Sequence, residues 1–154
     1  MVDVSAKPMM LREAVAHGEI RLQKSTLKLI QSQTIAKGNV LASARLAGIL
    51  AAKKTGDLIP LCHPLRITGV DVSFTDDTRR STITVEARVR TVDKTGVEME
   101  ALTAAAVAGL TIYDMVKAVD KGVVLTDLCL IEKSGGKSGP WRRRAHTLPR
   151  QVAK

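Results

Sequence analysis

The sequence predicts an α+β fold, an antiparallel sheet packed against helices in a ferredoxin-like αβ sandwich. Three observations predict it: two period-two runs around a polar turn, helical segments on either side of that hairpin, and a closing run rich in β-branched residues and leucine. In chain order, Ser25 is placed to cap a short helix over 26–32, with Leu27, Leu29 and Ile30 facing inward. Asn39, after Gly38, is placed to cap a longer helix over 40–53, where Val40, Leu41, Ala44, Ala47 and Ala51 recur at helical spacing. The segment Leu58-Ile59-Pro60-Leu61-Cys62-His63-Pro64-Leu65 cannot be helical, because each proline fixes its own φ and pushes its predecessor towards extended backbone.

Val70, Val72 and Phe74 then alternate with polar residues, as do Ile83, Val85, Ala87 and Val89 beyond the turn at 76–80. This reads as a hairpin with one buried face. Thr95-Gly96-Val97-Glu98 matches a capping box opening a helix that runs to about Lys121, before Gly122. Residues 101–109 are small on every face, so this helix is either simply central and buried or also a surface between subunits. Residues 123–133 read as the last strand.

Composition narrows the function. The chain has 154 residues, 45% of them hydrophobic and 25% charged, which are values for a folded domain. Phe74, Tyr113 and Trp141 are the only aromatics, which argues against modules that stack bases on aromatic platforms. The net charge of +9 is lopsided: residues 133–154 carry seven Lys or Arg and no acid. A basic stretch suits phosphates of any kind, though a solvated tail has the same composition. Cys62 and Cys129 make neither a disulfide scaffold nor a zinc module. The N-terminus lacks the order of a signal peptide, and the apolar stretch from Ala101 to Ile112 is too short to span a bilayer. The expectation is a cytoplasmic protein without a membrane partner.

Ser134-Gly135-Gly136-Lys137-Ser138 imitates the end of a phosphate-binding P-loop, but Ile131 stands where its first glycine belongs and Gly139-Pro140 opposes a following helix. Three groups of residues remain as candidates. His63, beside Cys62, is held in a proline-stiffened loop that presents a side chain at low entropic cost. Asp114 and Lys117 lie three apart on the last helix, among residues that read as buried; the pair is either an ordinary ion pair or a lysine tuned for proton transfer. Glu98 and Glu100 open the same helix. Glu98 is explained by the capping box, whereas the two acids together could hold a guanine-like edge.

These segments together resemble one family, cyclic pyranopterin monophosphate synthase, the MoaC family of molybdenum cofactor biosynthesis. The resemblance runs in order through Met1-Val2-Asp3-Val4-Ser5, Lys37-Gly38-Asn39-Val40, the 58–65 loop, Lys94-Thr95-Gly96-Val97-Glu98-Met99-Glu100, Tyr113-Asp114-Met115 with Lys117, and Lys133-Ser134-Gly135-Gly136-Lys137. It implies one catalytic domain over 1–140, with 141–154 a basic, flexible tail that matches no family pattern. It also implies conversion of 3′,8-cyclo-7,8-dihydro-GTP to cyclic pyranopterin monophosphate with loss of pyrophosphate. Asp114 and Lys117 would be the catalytic pair. Leu61, Cys62, His63, Met99 and Glu100 would contact substrate, and Lys37, Glu98, Lys133 and Arg12 would line the site. The family implies a homohexamer, a trimer of dimers with sites between subunits, and no metal or organic cofactor. A triphosphate needs cations, and Lys37, Lys133 and Lys137 sit in contexts suited to it. The competing reading is a nucleic-acid-binding module using the basic tail, and a third is an assembly protein built on the alanine-rich helix.

Overall fold

The computed structural model describes residues 1–144. Strand β1 (Met10–Arg21) is followed by helices α1 (Lys24–Gln31) and α2 (Val40–Lys53) and the single turn α3 (Thr55–Leu58). Strands β2 (Ile67–Asp77) and β3 (Thr82–Asp93) lead into the long helix α4 (Glu98–Val116), then β4 (Val124–Ser134) and the two-residue β5 (Trp141–Arg142). The sheet order is β2-β3-β1-β4-β5, with every adjacent pair antiparallel. This is the ferredoxin-like order with a short strand added at one edge.

The hairpin forms as its alternation predicts. Val70 pairs with Val89, Val72 with Ala87 and Phe74 with Val85, which puts all six on the helix-covered face. The Asp77 carboxylate accepts from the N–H groups of Arg79 and Arg80 and closes the turn. Asn39 caps α2 as expected, its side chain accepting from the Ala42 N–H at 2.9 Å.

The start of α1 and the end of α4 differ from the sequence reading, and the two are linked through the buried Asp120. Helix α1 is entered at Gln23, and Ser25 caps nothing. The acceptor comes from elsewhere in the chain: the buried Asp120 carboxylate takes the Gln23 N–H at 2.8 Å and the Thr26 hydroxyl at 3.1 Å. Helix α4 ends at Val116, short of Lys121, because the N–H groups of Val119 and Asp120 both return to the Val116 carbonyl and turn the chain inward. Asp120 is thus delivered to α1 by the same turn that ends α4.

Strand β1, the centre of the sheet, has no counterpart in the sequence reading. Its run Ala14-Val15-Ala16 is buried on both faces, and Glu19 beyond it is buried by ion pairs with Arg21 and Arg80. Burial on both faces erases the period-two signal. Trp141 and Arg142, which the sequence reading assigns to the tail, pair with Lys133 and Glu132 as β5. Arg143 follows on, its N–H donating to the Ile131 carbonyl at 2.8 Å, and residues 145–154 of that expected tail lie outside the described residues.

Helix α4 crosses the sheet and packs against α2. Ala101, Ala104, Ala105 and Ala108 are all buried, as are Ala14 and Ala16 of β1 and Ala87 of β3. Small residues on both sides let the backbones approach closely. At Gly48 of α2, a Cβ would lie 2.9 Å from the Ala104 carbonyl oxygen and 3.3 Å from Val72. Replacing glycine by alanine inside a helix ordinarily gains about 1 kcal/mol, whereas overpacking a rigid contact costs about 1–3 kcal/mol. Gly48→Ala should therefore lower the melting temperature despite its better helix propensity, and Gly48→Leu should prevent folding. Calorimetry showing Gly48→Ala unchanged or more stable would contradict the close α2–α4 contact.

Candidate active site

The loop into α4 and the strand beside it build the first part of the site. No side chain caps α4: the helix starts at Glu98 with Val97 as N-cap, so the expected capping box does not form. The Glu98 carboxylate instead accepts from Lys133 Nζ of β4 at 3.0 Å, a charge-assisted bond stronger than a neutral cap. Gly96 makes room for this arrangement, since a Cβ there would lie 2.0 Å from Glu98 Oε2. Arg12 of β1 is buried beside them, donating through Nε to the Asp93 carbonyl at 3.3 Å and through Nη2 to the Lys94 carbonyl at 3.1 Å.

The Gly135-Gly136 pair after β4 folds over that arginine. Both glycines have positive φ, and a Cβ would lie 2.2 Å from the Leu11 carbonyl oxygen at Gly135 and 2.0 Å from Arg12 Nη1 at Gly136. Only glycine fits both the conformation and the space. Arg12, Glu98 and Lys133 line one side of an open cavity of about 880 Å³.

A smaller cavity of about 280 Å³ continues from it, sharing the wall formed by Thr95, Gly96 and Glu98. Leu61, Cys62 and His63 line it opposite Met99 and Glu100. The proline-stiffened loop is seated by close contact, since a Cβ on Gly56 would be 3.2 Å from Pro64 Cα. Glu100 is buried, and loss of solvent, reinforced by the Glu98 charge, raises its pKa above the ordinary carboxylate value. Burial, then the Glu100 charge, pushes the Cys62 thiol up as well, so Cys62 is a neutral thiol at pH 7 and a poor nucleophile.

Asp114, Lys117 and Lys37 form a separate group at the other end of α4. Asp114 Oδ1 lies 2.7 Å from Lys117 Nζ and Oδ2 lies 2.8 Å from Lys37 Nζ, which also donates to the Asp114 carbonyl at 2.8 Å. Lys37 reaches it from the turn between α1 and α2, where Gly38 takes a φ of 100°. The sequence reading places this pair on a buried face, yet Asp114 and Lys117 side chains are 55% and 53% exposed, because they stand on the solvent-facing side of α4 while Met115 and Val116 between them are buried on the other. Ion pairing, not burial, sets their protonation. The bonds from Lys117 and then Lys37 hold the Asp114 carboxyl down at about 2, and the bond to Asp114 raises Lys117. Lys117 is therefore an ammonium, a proton donor in this state.

The two groups are far apart. From Glu100 to Asp114 is fourteen residues of one helix, about 21 Å at 1.5 Å per residue. The chain thus gathers Arg12, Leu61, Cys62, His63, Glu98, Met99, Glu100 and Lys133 at one end of α4, and Lys37, Asp114 and Lys117 at the other. Lys7 and Lys94, which the sequence reading did not single out, also line the larger cavity. The signal available for Lys94 was its position directly before Thr95-Gly96. Among the described residues, no three His, Cys, Asp or Glu side chains are grouped so as to hold a metal ion.

Comparison with known proteins adds a family. A model described as the MoaC family matches residues 1–136. A cyclic pyranopterin monophosphate synthase from Heliobacterium modesticaldum is 60% identical over 143 residues, 93% of this chain and 90% of the relative. Proteins of the same name from Thermomicrobium roseum and Pelotomaculum thermopropionicum are 57% and 56% identical, covering 93% and 94% of this chain and 86% and 85% of those relatives.

Two outcomes follow from the protonation states. Asp114 should titrate near 2 in a carboxyl NMR titration, and Lys117→Ala should move it towards 3.8 by more than Lys37→Ala does. Because its folded pKa is depressed, the stability it contributes is present above 3.8 and is lost as pH falls through about 2. Glu100 has the opposite sign: its folded pKa is raised, so stability declines as pH climbs from 4.5 through the folded value. Glu100→Gln should raise the melting temperature at pH 7, leave it little changed at pH 4, and impair turnover. A lower melting temperature at pH 7 would refute the burial account.

Proposed function

The chain belongs to the MoaC family, and from that premise we propose that the two residue groups at the ends of α4 are the halves of one active site, completed between subunits. The activity is that of a cyclic pyranopterin monophosphate synthase in molybdenum cofactor biosynthesis. The enzyme rearranges 3′,8-cyclo-7,8-dihydro-GTP and releases pyrophosphate. The relatives give no support to nucleic-acid binding as an alternative.

The observation that carries the assignment of the site is the contiguous wall on which Arg12, the 61–63 loop, Glu98, Met99, Glu100 and Lys133 meet. Glu98 and Glu100 accept from the N–H-rich edge of the guanine-derived ring. Arg12 and Lys133 neutralise phosphate oxygens. Lys117, kept protonated by Asp114, donates the proton that ring opening and reclosure demand, and Lys37 holds Asp114 from the other side. His63 orients the substrate or relays a proton. Closure of the cyclic phosphate is an in-line displacement, driven chiefly by positioning and charge neutralisation.

A subunit interface accounts for the separation of the halves, since about 21 Å is several times the reach of a lysine side chain. Exposed leucines support it: Leu46 and Leu50 of α2 and Leu110 of α4 are each at least half exposed, on elements whose other faces form the core. We place the protein in the cytoplasm as a hexamer, a trimer of dimers, with Lys117 of one subunit serving the His63–Glu100 cavity of a neighbour.

Lys117→Ala and His63→Ala should each fold, assemble and lose turnover of the cyclic dihydro-GTP, measured as pyrophosphate release. Mixed, unfolded and reassembled together, the two inactive variants should recover activity, because roughly a quarter of randomly paired sites regain both native residues. No recovery from properly mixed oligomers would place both residues in a site within one subunit and overturn the composite arrangement.

A further inference from the structure

The carboxylate of Asp120 does more than the start of a helix requires. The residue is 2% exposed and gathers four donors. Oδ2 accepts from the Gln23 N–H at 2.8 Å and the Thr26 hydroxyl at 3.1 Å, and Oδ1 from the Gly122 N–H at 3.0 Å and Gln23 Nε2 at 3.4 Å. A serine, aspartate or asparagine at position 23 would cap α1 locally. Gln23 stands there without a side-chain cap, so the start of α1 is tied to a residue 97 positions away. A tie of that length fixes two segments against each other, which a local cap does not.

Those segments carry the two lysines that converge on Asp114. On one side, Lys117 precedes Asp120 by three residues, in the turn closed by the Val119 and Asp120 N–H groups on the Val116 carbonyl. On the other, α1 buries Thr26, Leu27 and Ile30, and the chain reverses where the Thr34 N–H reaches the Leu29 carbonyl at 3.0 Å. Ile35 then returns to the core, and Lys37 follows. Neither lysine side chain is buried, so the backbone beneath each sets where its ammonium group meets the carboxylate.

Resting on the role given above to Lys117, we infer that Asp120 is a positioning residue for the proton-donating group: it clasps the start of α1 to the end of α4 and so holds Lys37 and Lys117 on either side of Asp114. The clasp has no room for an amide. In Asp120→Asn the side chain keeps its shape, but whichever way it turns, its NH2 meets a backbone N–H, that of Gln23 or that of Gly122. The start of α1 then parts from the turn after α4, and the lysines lose their common frame. A displacement of about 1 Å at reacting groups costs up to about a hundredfold in rate.

Turnover of the cyclic dihydro-GTP, read as pyrophosphate release, and a carboxyl NMR titration of Asp114 test the clasp in the full-length oligomer. Asp120→Asn should lower kcat roughly tenfold or more with KM little changed, since alignment is lost and no contact with substrate is removed. Its Asp114 should titrate above the native value of about 2 and closer to 3.8, because the lysines no longer converge on it. Thr26→Val, which removes one donor at nearly constant volume, should move both readouts the same way by less, and Thr26→Ser should restore both. These two variants decide the matter if Asp120→Asn does not fold. Ser25→Ala, exposed on the same turn of α1, should change neither readout. Native kcat in Asp120→Asn and Thr26→Val, or a native Asp114 midpoint, at whatever melting temperature, would reduce Asp120 to a support for the fold and overturn the inference. A wild-type chain without turnover, in which Asp120→Asn still moves the Asp114 midpoint, would leave the clasp standing and sink the activity instead.

Discussion

Helix α4 can lie in the middle of this fold because the stretch it buries between 101 and 109, namely Ala101, Ala104, Ala105, Ala108 and Gly109, is alanine and glycine. That close approach fixes the rest. Alanines at 101, 104, 105 and 108 seat the helix on Ala14, Ala16 and Ala87, and Gly48 lets α2 rest on its flank. With so little side chain between backbones, the helix has little freedom to tilt or slide. Both candidate groups are mounted on its ends, so a seam that does no chemistry sets where the chemistry stands.

The two ends achieve opposite electrostatic effects by different means. At the N-terminal end, burial acts first: Glu100 is removed from water and its proton is held more tightly. At the C-terminal end, pairing acts first: Asp114 is exposed, yet two lysines make it a stronger acid and keep Lys117 charged. One helix thus presents a carboxyl that holds its proton more tightly than usual and a carboxylate that resists protonation. Acid–base chemistry on a purine-derived skeleton calls for such a contrast.

Much of this was legible in the sequence wherever the pattern is local. The hairpin declared itself because one of its faces is wet, and α2 because Asn39 caps it within three residues. Local rules failed where a distant residue supplied the partner. Lys133 took the Glu98 carboxylate from the capping box, and Asp120 replaced Ser25 at the start of α1. Strand β1 was hidden because its centre is covered on both sides. The exposure of Asp114 and Lys117 escapes the sequence for a related reason: Met115 and Val116 are buried, but Asp114 and Lys117 stand on the opposite, solvent-facing side of the same turn. The residues named for the site depended on a resemblance carried by several short motifs, and periodicity alone would have reached few of them.

The central position of β1 also has a bearing on how the protein is made. Among the strands of this sheet, β1 is made before the others, and its two neighbours, β3 and β4, are encoded far downstream. Until β4 emerges, more than a hundred residues later, Ala14-Val15-Ala16 has an unpaired edge and the sheet cannot close. Non-local pairing of this kind slows folding and leaves nascent chains open to mispairing. The polar and charged side chains of Glu13, His17, Glu19 and Arg21, most of which end in ion pairs, keep that waiting strand hydrated and discourage it from joining another unfinished copy.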